Sequence, residues 1–241
     1  MTKLALVTGG AHRLGKAFAL SLARQGYAIA LHYHLSEEQA EQTKAEIESL
    51  FGVQVHLLKA DLSDPAQLQQ LFSELDFILQ HSSFSILVNS AAFMPGGNVS
   101  ALSVENWDMS LDLNLRAPFF LAQEAAKRMT DGGLIVNITD VGAQKAWSRY
   151  PSYTVSKAAL ESLTKILARA LAPTIRVNAI APGLVLQSDI VTPEEWERLI
   201  DRVPLKRPAR TDELTSALEF LIQNEYITGQ TIVVDGGYSL V

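Results

Sequence analysis

Tyr153 and Lys157 stand four residues apart in Tyr153-Thr154-Val155-Ser156-Lys157. In a helix that interval puts a phenol and an ammonium on one face. A nearby positive charge stabilises phenolate and lowers the tyrosine pKa toward a range useful for proton transfer. Such pairs also arise by chance as surface cation-aromatic contacts, but this one opens a helix directly after the fifth strand of an alternating chain, where catalytic groups belong. A second stretch, Thr8-Gly9-Gly10-Ala11-His12-Arg13-Leu14-Gly15, joins the first strand to a helix. Its glycines let backbone approach a pyrophosphate, and the helix start offers free N–H groups and a positive dipole end. A plain strand-to-helix turn has the same composition; the place after the very first strand points to a nucleotide.

The elements that position these residues follow from patterning. Lys3–Thr8, Ala28–Tyr33, Val53–Lys59, Ser85–Asn89, Leu134–Thr139, Ile175–Ile180 and Thr231–Val234 are short runs rich in Val, Ile and Leu, the signature of buried strands. Between them Gly15–Gln25, Ser36–Phe51, Pro65–Gln80, Val104–Met129, Ser152–Leu171 and Thr211–Gln223 carry apolar residues three and four apart. Parallel strands need crossovers, and crossover helices must cover the sheet. The alternation predicts an α/β, doubly wound Rossmann fold, a seven-stranded parallel sheet with helices on both faces. With no linker or repeat, residues 1–241 are expected to form a single dinucleotide-binding and catalytic domain. Ligands then sit beyond the carboxyl ends of the strands.

Composition narrows the function classes. Hydrophobic residues make up 48% and charged residues 19%, and the mean hydropathy is +0.12, which suits a packed core. The net charge of -6 has no basic stripe, so a nucleic-acid partner has no electrostatic support. No apolar stretch spans a bilayer and none reads as a leader, so a cytoplasmic protein with no membrane partner is expected. Cysteine is absent, and the histidines are not clustered; no metal is predicted.

At the end of the second strand, His32-Tyr33-His34-Leu35-Ser36 lacks the carboxylate that commonly holds the ribose hydroxyls of NAD. His34 and Ser36 have donors for a 2′-phosphate, and Arg13 offers paired, charge-assisted bonds to one. NADPH is therefore favoured over NADH, although Ser36 also suits the cap of the helix ahead of Glu37 and Glu38.

The glycine turn, Asn89, Asn114 in Asp112-Leu113-Asn114-Leu115, Tyr153/Lys157, Pro182-Gly183 and Val234-Asp235-Gly236-Gly237 together resemble the short-chain dehydrogenase/reductases over nearly the whole chain. The resemblance implies a cofactor site built from Gly9, Arg13, Leu14, His34, Ser36, Asp61, Leu62, Asn89, Ala91, Tyr153, Lys157, Pro182 and Gly183. It also implies that Tyr153 is the acid/base, that Lys157 holds the nicotinamide ribose, and that Asn114 bends its helix to keep a relay water. Read as residues alone, Asp61 can close a turn or cap a helix, Asn89 can sit in a tight turn, and Asn114 can be a solvated helix position. Long faces on Val104–Met129 and Ser152–Leu171 match those that family members use in homotetramers.

Two departures from the family matter. Arg13 replaces the middle glycine of the turn, and Asp140 stands thirteen residues before Tyr153, where a serine normally donates to a substrate carbonyl. An ionised carboxylate only accepts hydrogen bonds, so a C=N electrophile is suggested instead of a ketone. With Arg13, the His34-x-Ser36 stretch, Asp140/Tyr153/Lys157 and the terminal Asp235-Gly236-Gly237-Tyr238-Ser239-Leu240, the chain resembles the pteridine reductases and their dihydromonapterin-reducing relatives. That implies NADPH-dependent reduction of a small-molecule substrate, a pterin or similar cyclic C=N compound. Leu35 stands where those enzymes tend to carry a basic residue, which leaves NADH open. Phe93 is chosen over Met94 to stack on a flat heterocycle, with Asp140 and Tyr153 completing the substrate site. Thr139 is the alternative hydroxyl donor, but strand alternation keeps both it and Asp140 from facing one pocket. Residues 184–210, with Asp189, Pro193, Trp196, Pro204 and Pro208, fit a substrate lid with one short helix; Trp147, Tyr150 and Trp196 are candidates to shape the pocket. The alternatives are a carbonyl reductase or alcohol dehydrogenase of the same family, and a non-catalytic dinucleotide sensor, which the retained Tyr/Lys pair disfavours.

Overall fold

The computed structural model describes residues 1–188 and 191–241; Asp189, placed in the lid from the sequence, lies outside them. Seven parallel strands form one sheet: β1 (Thr2–Thr8), β2 (Ala28–Tyr33), β3 (Val55–Lys59), β4 (Ser82–Asn89), β5 (Gly133–Ile138), β6 (Ile175–Pro182) and β7 (Thr231–Val234). Their order is β3-β2-β1-β4-β5-β6-β7, the doubly wound arrangement expected from the alternation. The winding reverses between β1 and β4, which opens a crevice at their carboxyl ends.

Strand residues alternate between two cores. Leu4 and Leu6 of β1 join one core, packed under α3 (Pro65–Ile78), α5 (Ala117–Ala126) and α6 (Pro151–Leu171). Ala5 and Val7 join the other, under α1 (Arg13–Arg24), α2 (Glu37–Phe51) and α8 (Thr211–Gln223). A sheet covered on both faces explains why its strands read as continuous apolar runs instead of alternating ones. Two further helices, α4 (Val104–Leu111) and α7 (Pro193–Arg202), flank the crevice. α7 is a short helix within residues 184–210, the segment read from the sequence as a lid.

The helix expected over Val104–Met129 runs from Val104 to Ala126 and is interrupted around Asn114, where the family resemblance places a bend. A π turn over Asp112–Arg116 separates α4 from α5, and Ala117 N–H bonds Asp112 C=O, five residues back. Pro118 has no N–H to return to Asn114, so the ladder widens at this point. Asp61 closes a turn, accepting from Ser63 N at 2.9 Å and Ser63 Oγ at 2.6 Å. The cap of α3 is Asp64, which accepts from Ala66 N at 2.8 Å. None of the described helices is long and apolar enough to cross a membrane.

Candidate active site

Beyond the carboxyl ends of the strands lies a cavity of about 1660 Å³, larger than the roughly 300–1,000 Å³ of an ordinary small-ligand pocket. One end is the glycine turn. Gly9 has φ +63°, and a Cβ on Gly15 would stand 2.0 Å from the Gly9 carbonyl oxygen. Only glycine lets α1 start this close to the end of β1. The turn is stitched from both sides. His32 Nδ1 accepts from Gly9 N at 3.1 Å, so its Nε2 carries the proton and donates to Ala60 O at 3.0 Å. Burial drives the His32 pKa down to about 4. On the other side Thr8 Oγ1 accepts from Ser90 N at 2.9 Å and Ala91 N at 3.0 Å.

Neither His32 nor Thr8 was singled out from the sequence. The available signal was a histidine inside an otherwise apolar strand, which is tolerated only with both ring nitrogens engaged.

Gly9, Arg13, Leu14, His34, Ser36, Asp61, Leu62 and Ala91 all line this end. Arg13 keeps the glycine-like backbone of the position it replaces, at φ +52°. Its guanidinium donates to Leu186 O at 2.9 Å and Gln187 O at 3.1 Å, in the segment that follows β6. Ser36 occupies the cap position of α2 without making a capping hydrogen bond, so capping does not account for it. Ser90, Ala91 and Ala92 line the cavity, whereas the Asn89 side chain turns into the sheet. Asn89 pairs with Asn137 in the β4–β5 register, and its Nδ2 donates to Asn137 Oδ1 at 2.8 Å. Asn137 Nδ2 passes the chain on to Thr164 Oγ1 at 2.9 Å. This buried amide ladder supports the site from below.

At the other end Asp140, Tyr153, Lys157, Pro182 and Gly183 share the cavity wall with both Phe93 and Met94. The Tyr153 hydroxyl donates to Asp140 Oδ2 at 2.9 Å. Gly142 N donates to Asp140 Oδ1 at 2.7 Å. Contrary to strand alternation, Thr139 borders the cavity beside Asp140, because the strand ends at Ile138; its Oγ1 donates to Ile180 O at 3.2 Å, and of the two it is Asp140 that meets Tyr153. Lys157 Nζ donates to Ile138 O at 2.7 Å and lies 5.7 Å from the Tyr153 ring centroid.

Burial pushes the Asp140 carboxyl up to about 6, against the pull of Gly142 N–H, Tyr153 and Lys157. It also draws Lys157 down to about 8, against the attraction of Asp140. The lowered tyrosine pKa expected from the sequence is reversed: burial first, and the Asp140 carboxylate second, hold Tyr153 well above its ordinary value. The phenol is a protonated donor, because its nearest charged partner is an anion.

Asn114 does not reach the cavity lining. It is buried in the π turn, where its Oδ1 accepts from Phe93 N at 2.8 Å and its Nδ2 donates to Phe93 O at 2.8 Å and Ser156 Oγ at 3.0 Å. Ser156 Oγ donates to Tyr153 O at 2.7 Å. Asn114 thus ties the Phe93 loop to the first turns of α6, which carry Tyr153. Trp147, Tyr150 and Trp196 line the cavity, joined by Tyr238; the Trp147 and Tyr238 rings lie 6.4 Å apart.

A family model described as Enoyl-(Acyl carrier protein) reductase matches residues 9–239. The 3-oxoacyl-[acyl-carrier-protein] reductase FabG of Staphylococcus aureus (strain Mu50) is 34% identical over 244 residues, covering 98% of each chain. FolM Alternative dihydrofolate reductase 1 from Brucella suis, solved with NADP, superposes with a TM-score of 0.89 at 36% identity, covering 98% of this chain and 95% of that one. The angucycline C-6 ketoreductase LanV, also with bound NADP, superposes with a TM-score of 0.94 at 31% identity, covering 99% and 96%. The chain belongs to the short-chain dehydrogenase/reductase family and is an NAD(P)-dependent oxidoreductase of that family.

Proposed function

We propose that this protein is an NADPH-dependent reductase of a pterin or similar cyclic C=N substrate. The observation that carries the proposal is the 2.9 Å bond from the Tyr153 hydroxyl to Asp140 Oδ2, at the position where a carbonyl reductase needs a hydroxyl donor.

The glycine turn fits a dinucleotide, since Gly9 at φ +63° and the close approach of Gly15 to the Gly9 backbone bring the start of α1, with its free N–H groups, to the cavity wall. Gly9, Leu14, Leu62, Ala91, Pro182 and Gly183 would frame the cofactor. His34 and Ser36 would face its 2′-phosphate, and Arg13 would join them by exchanging its bonds to Leu186 O and Gln187 O for the phosphate; no carboxylate at the end of β2 repels it, and solved relatives with NADP support that choice. NADPH, when bound, supplies the hydride that reaches the carbon of the C=N bond and leaves as NADP+.

The residues supply the proton that nitrogen takes up. While Asp140 is ionised it captures the Tyr153 O–H as an acceptor and turns it from the cleft. Once protonated, Asp140 donates to Tyr153 Oη instead, which frees the phenol proton for the substrate nitrogen; Asp140 then returns its own proton to Tyr153. Lys157 tunes this exchange as the nearest cation. Phe93 or Met94 offers an apolar face to a flat ring, and Asn114 acts by holding that loop against α6. A homotetramer and a cytoplasmic setting accord with this family reading.

Ketone reduction is the second reading, favoured by the FabG and LanV likenesses. NADPH oxidation with a panel of dihydropterins and 3-oxoacyl thioesters separates the two, together with Asp140→Ser. The pterin reductase loses pterin turnover in that variant. Robust ketone reduction that persists or rises in Asp140→Ser, with no pterin turnover, overturns the proposal.

A further inference from the structure

The sequence is acidic overall, yet five cationic side chains line the cavity. Three are engaged by the protein. Lys157 donates to Ile138 O, Arg13 to two backbone carbonyls, and Arg149 pairs with Glu195 at 3.4 Å. The remaining two, Arg198 and Arg202, stand one helical turn apart on α7. Arg198 donates only through Nε, to Glu194 O of its own helix, at 3.1 Å. Its terminal nitrogens, and the whole Arg202 guanidinium, have no acceptor among the described residues.

The helix that carries them has no buried residue. Its stripe of Glu195, Arg198, Leu199 and Arg202, spaced by three, four and seven, borders the cavity; Leu199 packs against the small cluster of Val141, Ala181, Val203 and Tyr238, and the two arginines are exposed. Tyr238, a buried residue, shares the cavity wall with Asp140 and with both arginines.

We propose that Arg198 and Arg202 form a subsite for a carboxylate-bearing tail on the substrate. Planar guanidiniums bind carboxylates through two parallel hydrogen bonds. Two of them with Cβ atoms about 5–6 Å apart suit an amino-dicarboxylate better than a neutral polyol. The tail's chemistry is read from α7 alone, whereas its attachment to a pterin rests on the function proposed above.

Steady-state kinetics with NADPH test the subsite, comparing 7,8-dihydrofolate, which has a benzoylglutamate tail, with 7,8-dihydrobiopterin, whose side chain is neutral. In Arg198→Gln/Arg202→Gln the kcat/KM ratio of the first to the second falls about tenfold, carried mainly by KM, in line with the loss of one charge-assisted interaction. Raising salt to about 0.5 M compresses the wild-type ratio in the same direction, and Arg198→Lys/Arg202→Lys recovers part of it. An unchanged ratio overturns the subsite, as does a loss confined to acetoacetyl-CoA. If neither pterin is turned over, the pterin proposal falls and the subsite is decided by calorimetric titration of the NADP+-loaded protein with 4-aminobenzoylglutamate. Saturable binding that disappears in the double Gln variant upholds it; absent binding, or equal binding by both proteins, refutes it.

Discussion

His32 makes stability acid-sensitive by an amount the structure sets. Its Nδ1 accepts from Gly9 N and its Nε2 donates to Ala60 O, so protonation destroys one of two buried bonds. Burial lowers its pKa from 6.5 to about 4. Between those values the unfolded chain binds a proton that the folded chain refuses, so stability rises with pH across the window and is lost as pH falls through it. The linkage relation gives a loss of about 2 kcal/mol by pH 5 and about 3 kcal/mol by pH 4, relative to pH 7.5. Urea unfolding at pH 7.5, 6.0 and 5.0, for wild type and His32→Gln, measures it. Glutamine keeps a donor and an acceptor but does not titrate, so the other acid-sensitive groups cancel in the comparison. The wild type is expected to lose about 2 kcal/mol more than the variant between pH 7.5 and 5.0. Equal losses in the two proteins would refute the neutral, doubly bonded imidazole.

Three other perturbations probe the site. Gly15→Ala places a methyl 2.0 Å from the Gly9 carbonyl and displaces the start of α1; NADPH affinity, read by fluorescence titration, should weaken about tenfold or more, and native affinity would mean that the turn is not the cradle. Tyr153→Phe removes the proton donor while keeping the ring, so turnover should drop about 10²–10⁴-fold with NADPH binding retained, an outcome that a non-catalytic sensor cannot give. Asn114→Ala leaves the Phe93 N–H and C=O without partners, costing about 1–3 kcal/mol of stability and raising KM through the loosened Phe93 loop; an unchanged melting temperature and KM would argue against that clamp.

The sheet, its helices and the two ends of the cleft were legible because glycine turns, apolar runs and a four-residue Tyr–Lys interval are local signals. The π turn in Val104–Met129 was not visible in the patterning, and only the family resemblance pointed to a bend at Asn114. The segment's apolar pattern is continuous, and the one local sign is Pro118, whose missing N–H widens the turn at Asn114. Asn89 was legible as a residue but not as a role, since its partner Asn137 is fixed by strand register. The tyrosine pKa was misjudged because spacing revealed the cation on its own helix but neither the burial of the phenol, which raises its pKa most, nor the contact of its hydroxyl with Asp140. Arg198 and Arg202 escaped notice for a similar reason: only the fold of residues 184–210 brings that face of α7 beside the cavity.

The exchange between Asp140 and Tyr153 is tested most directly by the pH dependence of single-turnover dihydropterin reduction by the NADPH-loaded enzyme, for wild type and Asp140→Asn. Protonated Asp140 is the form that frees the phenol proton, and its carboxyl titrates at about 6. The wild-type rate constant should therefore rise as pH falls from 8 through 6, approaching tenfold per pH unit above the pKa, while the Asn variant is slow and flat. A wild-type profile flat across that range, or one that Asp140→Asn leaves unaltered, would contradict proton delivery through this pair.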